Sequence, residues 1–135
     1  MKKLFSTKCS TASFTIATFI LRIGLGALMI PHGYSKLTKF ASRADTFSDP
    51  FNIGSVTSMS LVIFAEFFCA AFILVGFLTR FASIPLIIAM SVALFYSHNA
   101  DFFGEGEKAS LFLCGYIALL FTGPGNVSLD RLIGK

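Results

Sequence analysis

Four apolar stretches occupy most of this 135-residue chain, and each is bounded by residues that break a helix or belong in water. They cover residues 12–31, 56–78, 81–98 and 107–122, with Pro31-His32-Gly33 closing the first and Gly123-Pro124-Gly125 closing the last. Proline and glycine both disfavour continuation of a helix. A helix needs roughly 20 apolar residues to cross a ~30 Å hydrocarbon core. The third and fourth stretches reach that length only with their polar ends, Ser97-His98 and Glu107-Lys108. The pattern predicts one all-α domain, an integral membrane four-helix bundle of up-down topology.

Within these stretches two charges of opposite sign stand out, Arg22 and Glu66. Each sits near the middle of its span, which places them at similar membrane depth. A charge at the bilayer centre costs roughly 2.5–3.5 kcal/mol on insertion scales, so intramembrane ionisable residues are usually paired and functional. Arginine stays protonated and presents a planar fork of donors suited to a carboxylate. An Arg22–Glu66 contact between the first two helices is therefore expected, either to fix helix register or to serve a ligand or proton path.

With 55% hydrophobic and 13% charged residues, the chain lies outside the usual soluble range of about 25% charged. Its net charge of +4 is scattered and forms no basic stripe, which excludes nucleic acid as a partner. The basic residues orient the bundle instead. Lys2, Lys3, Lys8, Arg80, Arg131 and Lys135 fall on one side, against Lys36, Lys39, Arg43 and Lys108 on the other. The bias predicts that both termini are cytoplasmic. The first span is longer than a signal-peptide core and carries Arg22, so it reads as an uncleaved helix.

These pieces together resemble the DoxX family of small four-helix bacterial membrane proteins. Leu21-Arg22-Ile23-Gly24-Leu25-Gly26 leading to Pro31-His32-Gly33-Tyr34-Ser35-Lys36-Leu37 is similar to that family's opening signature. Glu66 within Phe64-Ala65-Glu66-Phe67-Phe68, the turn Gly76-Phe77-Leu78-Thr79-Arg80, His98, Glu107 and Gly123-Pro124-Gly125 to Ser128-Leu129-Asp130 follow in order. The resemblance implies a multi-pass protein of the bacterial inner membrane. Some relatives are named as subunits of thiosulfate:quinone oxidoreductase or of a terminal quinol oxidase, and others are linked to thiol-redox systems. Fold similarity alone does not carry an activity.

A second group of residues gathers at one end of the expected bundle: His32 after the first helix, His98 closing the third, and Asp101, Glu105 and Glu107 before the fourth. Imidazole titrates near neutral pH, so His32 and His98 with Glu107 form a candidate site for protons or a quinol, or else cap helix ends in the interface. No tight spacing such as HExxH supports a metal, and none is assigned. Cys9, Cys69 and Cys114 form no CxxC pair, and small-residue packing accounts for Cys69 and Cys114. Phe64, Phe67 and Phe68 are candidates to line a quinone ring. The loop from Thr38 to Ser55 carries Phe40, Phe47 and Phe51, which fit a place on the membrane surface or over the mouth of the bundle, while Ser42, Asp45, Asp49-Pro50 and Gly54 equally fit a disordered loop.

The leading functional expectation is a small subunit of a membrane redox complex, quinone- or thiol-linked, with Arg22, Glu66, His32, His98 and Glu107 as candidate site residues. A noncatalytic scaffold that recruits a partner enzyme is the alternative. A small-solute carrier is less supported, because no inverted repeat is visible. The partners this allows are the lipid bilayer, a partner oxidoreductase subunit and further copies of the chain. Quinone is the candidate cofactor.

Overall fold

The computed structural model describes residues 6–134, and Lys2, Lys3 and Lys135 of the charge count lie outside the described residues. The elements are α1 (Thr11–Thr38), α2 (Phe40–Arg43), α3 (Ser55–Val75), α4 (Thr79–Ser97), α5 (Glu107–Thr122) and α6 (Leu129–Leu132), with a 3₁₀ turn at Ala44–Thr46. No strand occurs among the described residues. Helices α1, α3 and α4 are long and apolar enough to cross a membrane. At 16 residues, α5 extends about 24 Å, short of that length by itself.

α1 differs most from the expectation. It does not stop at Pro31-His32-Gly33 but runs on to Thr38. Proline removes one backbone donor, and Pro31 sits on an exposed face where its ring displaces no neighbouring helix. The extra turns bring Lys36 onto the helix and move the midpoint of α1 away from Arg22. At its start, Ser10 accepts a hydrogen bond from the Ser13 amide and caps the helix.

Four helices pack side by side, α1 against α3, α3 against α4, α4 against α5, and α5 back against α1. The core between them contains Met29, Ala65, Cys69, Ala70, Ile73, Leu86, Met90, Tyr116 and Leu119. Glycines set the closest approaches on α1. A Cβ on Gly26 would lie 3.0 Å from the Ala70 carbonyl oxygen, and one on Gly33 would lie 2.5 Å from the Phe67 nitrogen. These contacts fix an antiparallel register in which Gly33 meets Glu66-Phe67 and Gly26 meets Ala70 and Leu74. Association through small residues is the usual solution where lipid is as apolar as leucine.

Two of the helices contain wide turns. α3 is π-helical from Phe64 to Cys69 and α4 from Ala93 to Ser97, where the His98 amide bonds to the Ala93 carbonyl, five residues back. Such turns insert a residue into the helix and recur at functional sites. Gly76 ends α3 in the left-handed conformation, with the Phe77 amide bonded to the Phe72 carbonyl and the Gly76 amide to Ile73. The chain thus reverses into α4 within three residues.

Candidate functional site

The expected Arg22–Glu66 contact does not form. Arg22 lies 11 residues before Gly33, about 16 Å along α1, while Gly33 is the residue that meets Glu66. Arg22 is only 2% exposed. Its Nη1 donates to the carbonyls of Pro124 (2.8 Å) and Val127 (2.7 Å), and Nη2 lies 3.5 Å from the Leu74 carbonyl. It therefore ties the chain after α5 onto α1 and α3. Asp130 supplies an opposite charge to Arg22 and accepts hydrogen bonds from the Leu78 and Thr79 amides at the start of α4, while its own amide donates to Gly76. Carbonyl dipoles and this carboxylate do the work that Glu66 was expected to do.

Glu66 instead forms an ion pair with Lys36, one turn beyond Gly33 on α1. The Glu66 side chain is buried, and that of Lys36 is 30% exposed. In the sequence Lys36 lies beyond the first apolar stretch, within the family-like signature, and is not among the candidate site residues. Its spacing of three residues from Gly33, which puts both on neighbouring parts of one helix face, is the signal that could have found it.

The Lys36–Glu66 pair lines a cavity of about 570 Å³ between α3 and α4. Apolar side chains dominate its walls, with Ala65 and Phe64 from α3 and Pro85, Ala89 and Val92 from α4. Ser48, Ser58, Ser97 and His98 are its other polar lining residues. The size falls within the range of about 300–1,000 Å³ typical of small-molecule sites, as does the pattern of apolar walls with a few converging polar groups. Both wide helical turns face this cavity: one carries Glu66, and the other ends at His98.

His98 Nδ1 is buried and has no hydrogen-bond partner. The nearest carboxylate oxygen, on the exposed Glu105, lies 3.9 Å away, beyond hydrogen-bond reach. His32 is exposed, does not line the cavity and sits edge-on against Phe112 of α5, with ring centroids 6.3 Å apart. Glu107 is exposed in the first turn of α5 and also stays outside. Of the five residues singled out in the sequence, the cavity brings together Glu66 and His98 and leaves Arg22, His32 and Glu107 elsewhere. Phe64 lines it, but Phe67 and Phe68 pack edge-to-face beside it.

The loop between α2 and α3 covers part of the cavity through Phe47, Pro50, Phe51 and Ile53. Asp49 fastens it. Its carboxylate accepts from the Ile53 amide (3.0 Å), the Gly54 amide (2.7 Å) and the Ser58 hydroxyl (2.8 Å). Desolvation pushes the Asp49 carboxyl up, but these hydrogen bonds together outweigh it and hold the group below its ordinary value of 3.8. The loop, expected on the membrane surface or over the mouth of the bundle, packs over this cavity.

A family model for DoxX matches residues 17–99, which include Arg22, Lys36, Glu66 and His98. The chain belongs to the DoxX family. Its DoxX relatives include the Escherichia coli inner membrane protein YqjF, 30% identical over 89% of this chain and 94% of the relative. "Putative oxidoreductase CatD" of Bacillus subtilis is 30% identical over 91% of both chains. The uncharacterized membrane protein Rv3486 of Mycobacterium tuberculosis is 34% identical over 52% of each. No solved structure matches this DoxX protein.

Proposed function

We propose that this DoxX protein is the membrane subunit of a redox complex and that the cavity between α3 and α4 is its ligand site. The observation that carries this reading is the Lys36–Glu66 ion pair lining an apolar cavity whose wall also holds the unpartnered His98 Nδ1. The ammonium of Lys36 retains donors beyond the one given to Glu66 and can bond to a quinone carbonyl. The imidazole of His98, whose Nδ1 has no hydrogen-bond partner, can accept or return a proton there. Electrons would pass to or from a redox centre on a partner oxidoreductase. The name of the Bacillus relative, CatD, supports the redox assignment. Arg22, by its bonds to Pro124 and Val127, serves the architecture of the opposite end.

In this reading the protein is multi-pass in the bacterial inner membrane, both termini are cytoplasmic, and α5 completes a four-span bundle together with its polar first turn. Purification in native lipid, followed by identification of bound quinone and associated proteins, tests the function. Stoichiometric quinone that is lost in Lys36→Met and His98→Ala, but kept in Arg22→Lys, is the expected result. A partner oxidoreductase recovered without quinone would make the protein a scaffold.

A further inference from the structure

Between α3 and α4 the cavity is rimmed by exposed apolar side chains. Leu61 is 55% exposed, Phe64 43% and Ile88 53%, and all three line the cavity. Ile88 lies ten residues before His98, about 15 Å along α4 by helical rise. It is near the middle of a helix long enough to cross a membrane, so an exposed side chain there meets lipid and not water. The aqueous end of the cavity is different. It is partly covered by the 47–53 loop, which Asp49 holds in place. The cavity is thus partly roofed toward water, and apolar side chains rim it on the side that faces the bilayer.

Charge narrows the ligand further. Glu66 already neutralises Lys36, so an anionic head would gain little from Lys36 and would be repelled by Glu66. A neutral acceptor such as a carbonyl can take one of the remaining Lys36 donors without disturbing the pair. Ser48, Ser58, Ser97 and His98 offer further polar groups, and apart from these and the Lys36–Glu66 pair the lining is apolar.

We propose that the cavity is loaded sideways from the bilayer, through a portal between Leu61 and Phe64 of α3 and Ile88 and Val92 of α4, by a neutral carbonyl-headed ligand carrying an apolar chain. The head lies near Lys36 and the chain leaves through the portal into lipid. This rests on the reading of the cavity as the ligand site and selects a membrane-dissolved ligand over a water-soluble thiol. The same chemistry is offered by an isoprenoid quinone and by a neutral acyl lipid.

The test uses the full chain reconstituted in vesicles of phosphatidylethanolamine and phosphatidylglycerol, with photoactivatable probes bearing a diazirine on the chain. The three probes are a decyl benzoquinone, a monoacylglycerol and a fatty acid. The quinone or the monoacylglycerol should label peptides containing Phe64 and Ile88, and which one labels more strongly identifies the source. Leu61→Trp and Ile88→Trp, both at exposed positions that tolerate bulk, should reduce that labelling at least tenfold. Ile16→Trp, on an exposed face of α1, should leave it unchanged. Labelling that persists in both portal variants, stronger labelling by the fatty acid, or equal competition from a quinone without a chain would overturn the proposal. Portal labelling that holds while no redox partner is found would leave this inference standing and remove the redox assignment.

Discussion

At the residue scale, the buried Arg22 and the partly exposed Lys36 are satisfied in different ways. Arg22 has a rigid fork that reaches two carbonyls at once, so it can staple a loop without a contacting carboxylate. Lys36 is a point charge on a flexible stem and takes a carboxylate, Glu66. Removing one member of a buried pair leaves an uncompensated charge and costs about 3–5 kcal/mol. Lys36→Met is expected to destabilise the protein by that order, because Glu66 is buried and cannot reach water. Glu66→Gln should cost less, since Lys36 is partly exposed and its stem can carry the ammonium toward the surface. The double variant should recover most of the Lys36→Met loss. A double-mutant cycle of unfolding in detergent checks this, and strictly additive effects would remove the pair from the stability of the fold.

At the element scale, the contact between α1 and the wide turn of α3 positions the site. Gly33 has no room for a side chain, because a Cβ would lie 2.5 Å from the Phe67 nitrogen and 2.6 Å from the Glu66 carbonyl carbon, and backbone cannot rotate away. Gly33→Ala is expected to destabilise by about 1–3 kcal/mol, the range for overpacked sites. Gly24→Ala meets nothing within 4 Å and should be neutral or slightly stabilising, which the same unfolding measurement compares directly.

The loop over the cavity makes a second prediction at this scale. Asp49 has its carboxyl held below 3.8 in the folded protein, so its contribution is complete above that value and is lost as the pH falls through the depressed folded-state value. Amide protection at Ile53 and Gly54, corrected for intrinsic exchange, should stay constant from pH 7 to 5 and collapse only under stronger acid. In Asp49→Ala the protection should be low throughout. An unchanged profile in that variant would show that the loop is held by its phenylalanines alone.

At the scale of the whole molecule, the bundle has two unlike ends. One is closed by Arg22, Asp130 and the chain after α5; the other contains the cavity, its roof and the exposed acidic residues Glu105 and Glu107. In the orientation proposed from the basic-residue bias, the closed end is cytoplasmic. In a background without the native cysteines, an impermeant maleimide applied to intact cells should label Ser48→Cys and spare Gly134→Cys. The reverse pattern would invert the orientation.

Hydrophobic stretches, helix breakers and the order of motifs determined by themselves that the chain is all-helical and where most helices lie, and they singled out Glu66 and His98, which line one cavity. These are local properties, because span length and backbone preference are written along the chain. Which cation meets Glu66 was decided only by tertiary structure. The sequence suggests a helix end at Pro31, but the helix continues, and the packing of Gly33 on the wide turn then shifts Arg22 about 16 Å from Glu66 and brings Lys36 to it. The cavity was hidden for the same reason. It arises where two wide turns, a proline and several alanines from separate helices face one another, and no single segment records that space.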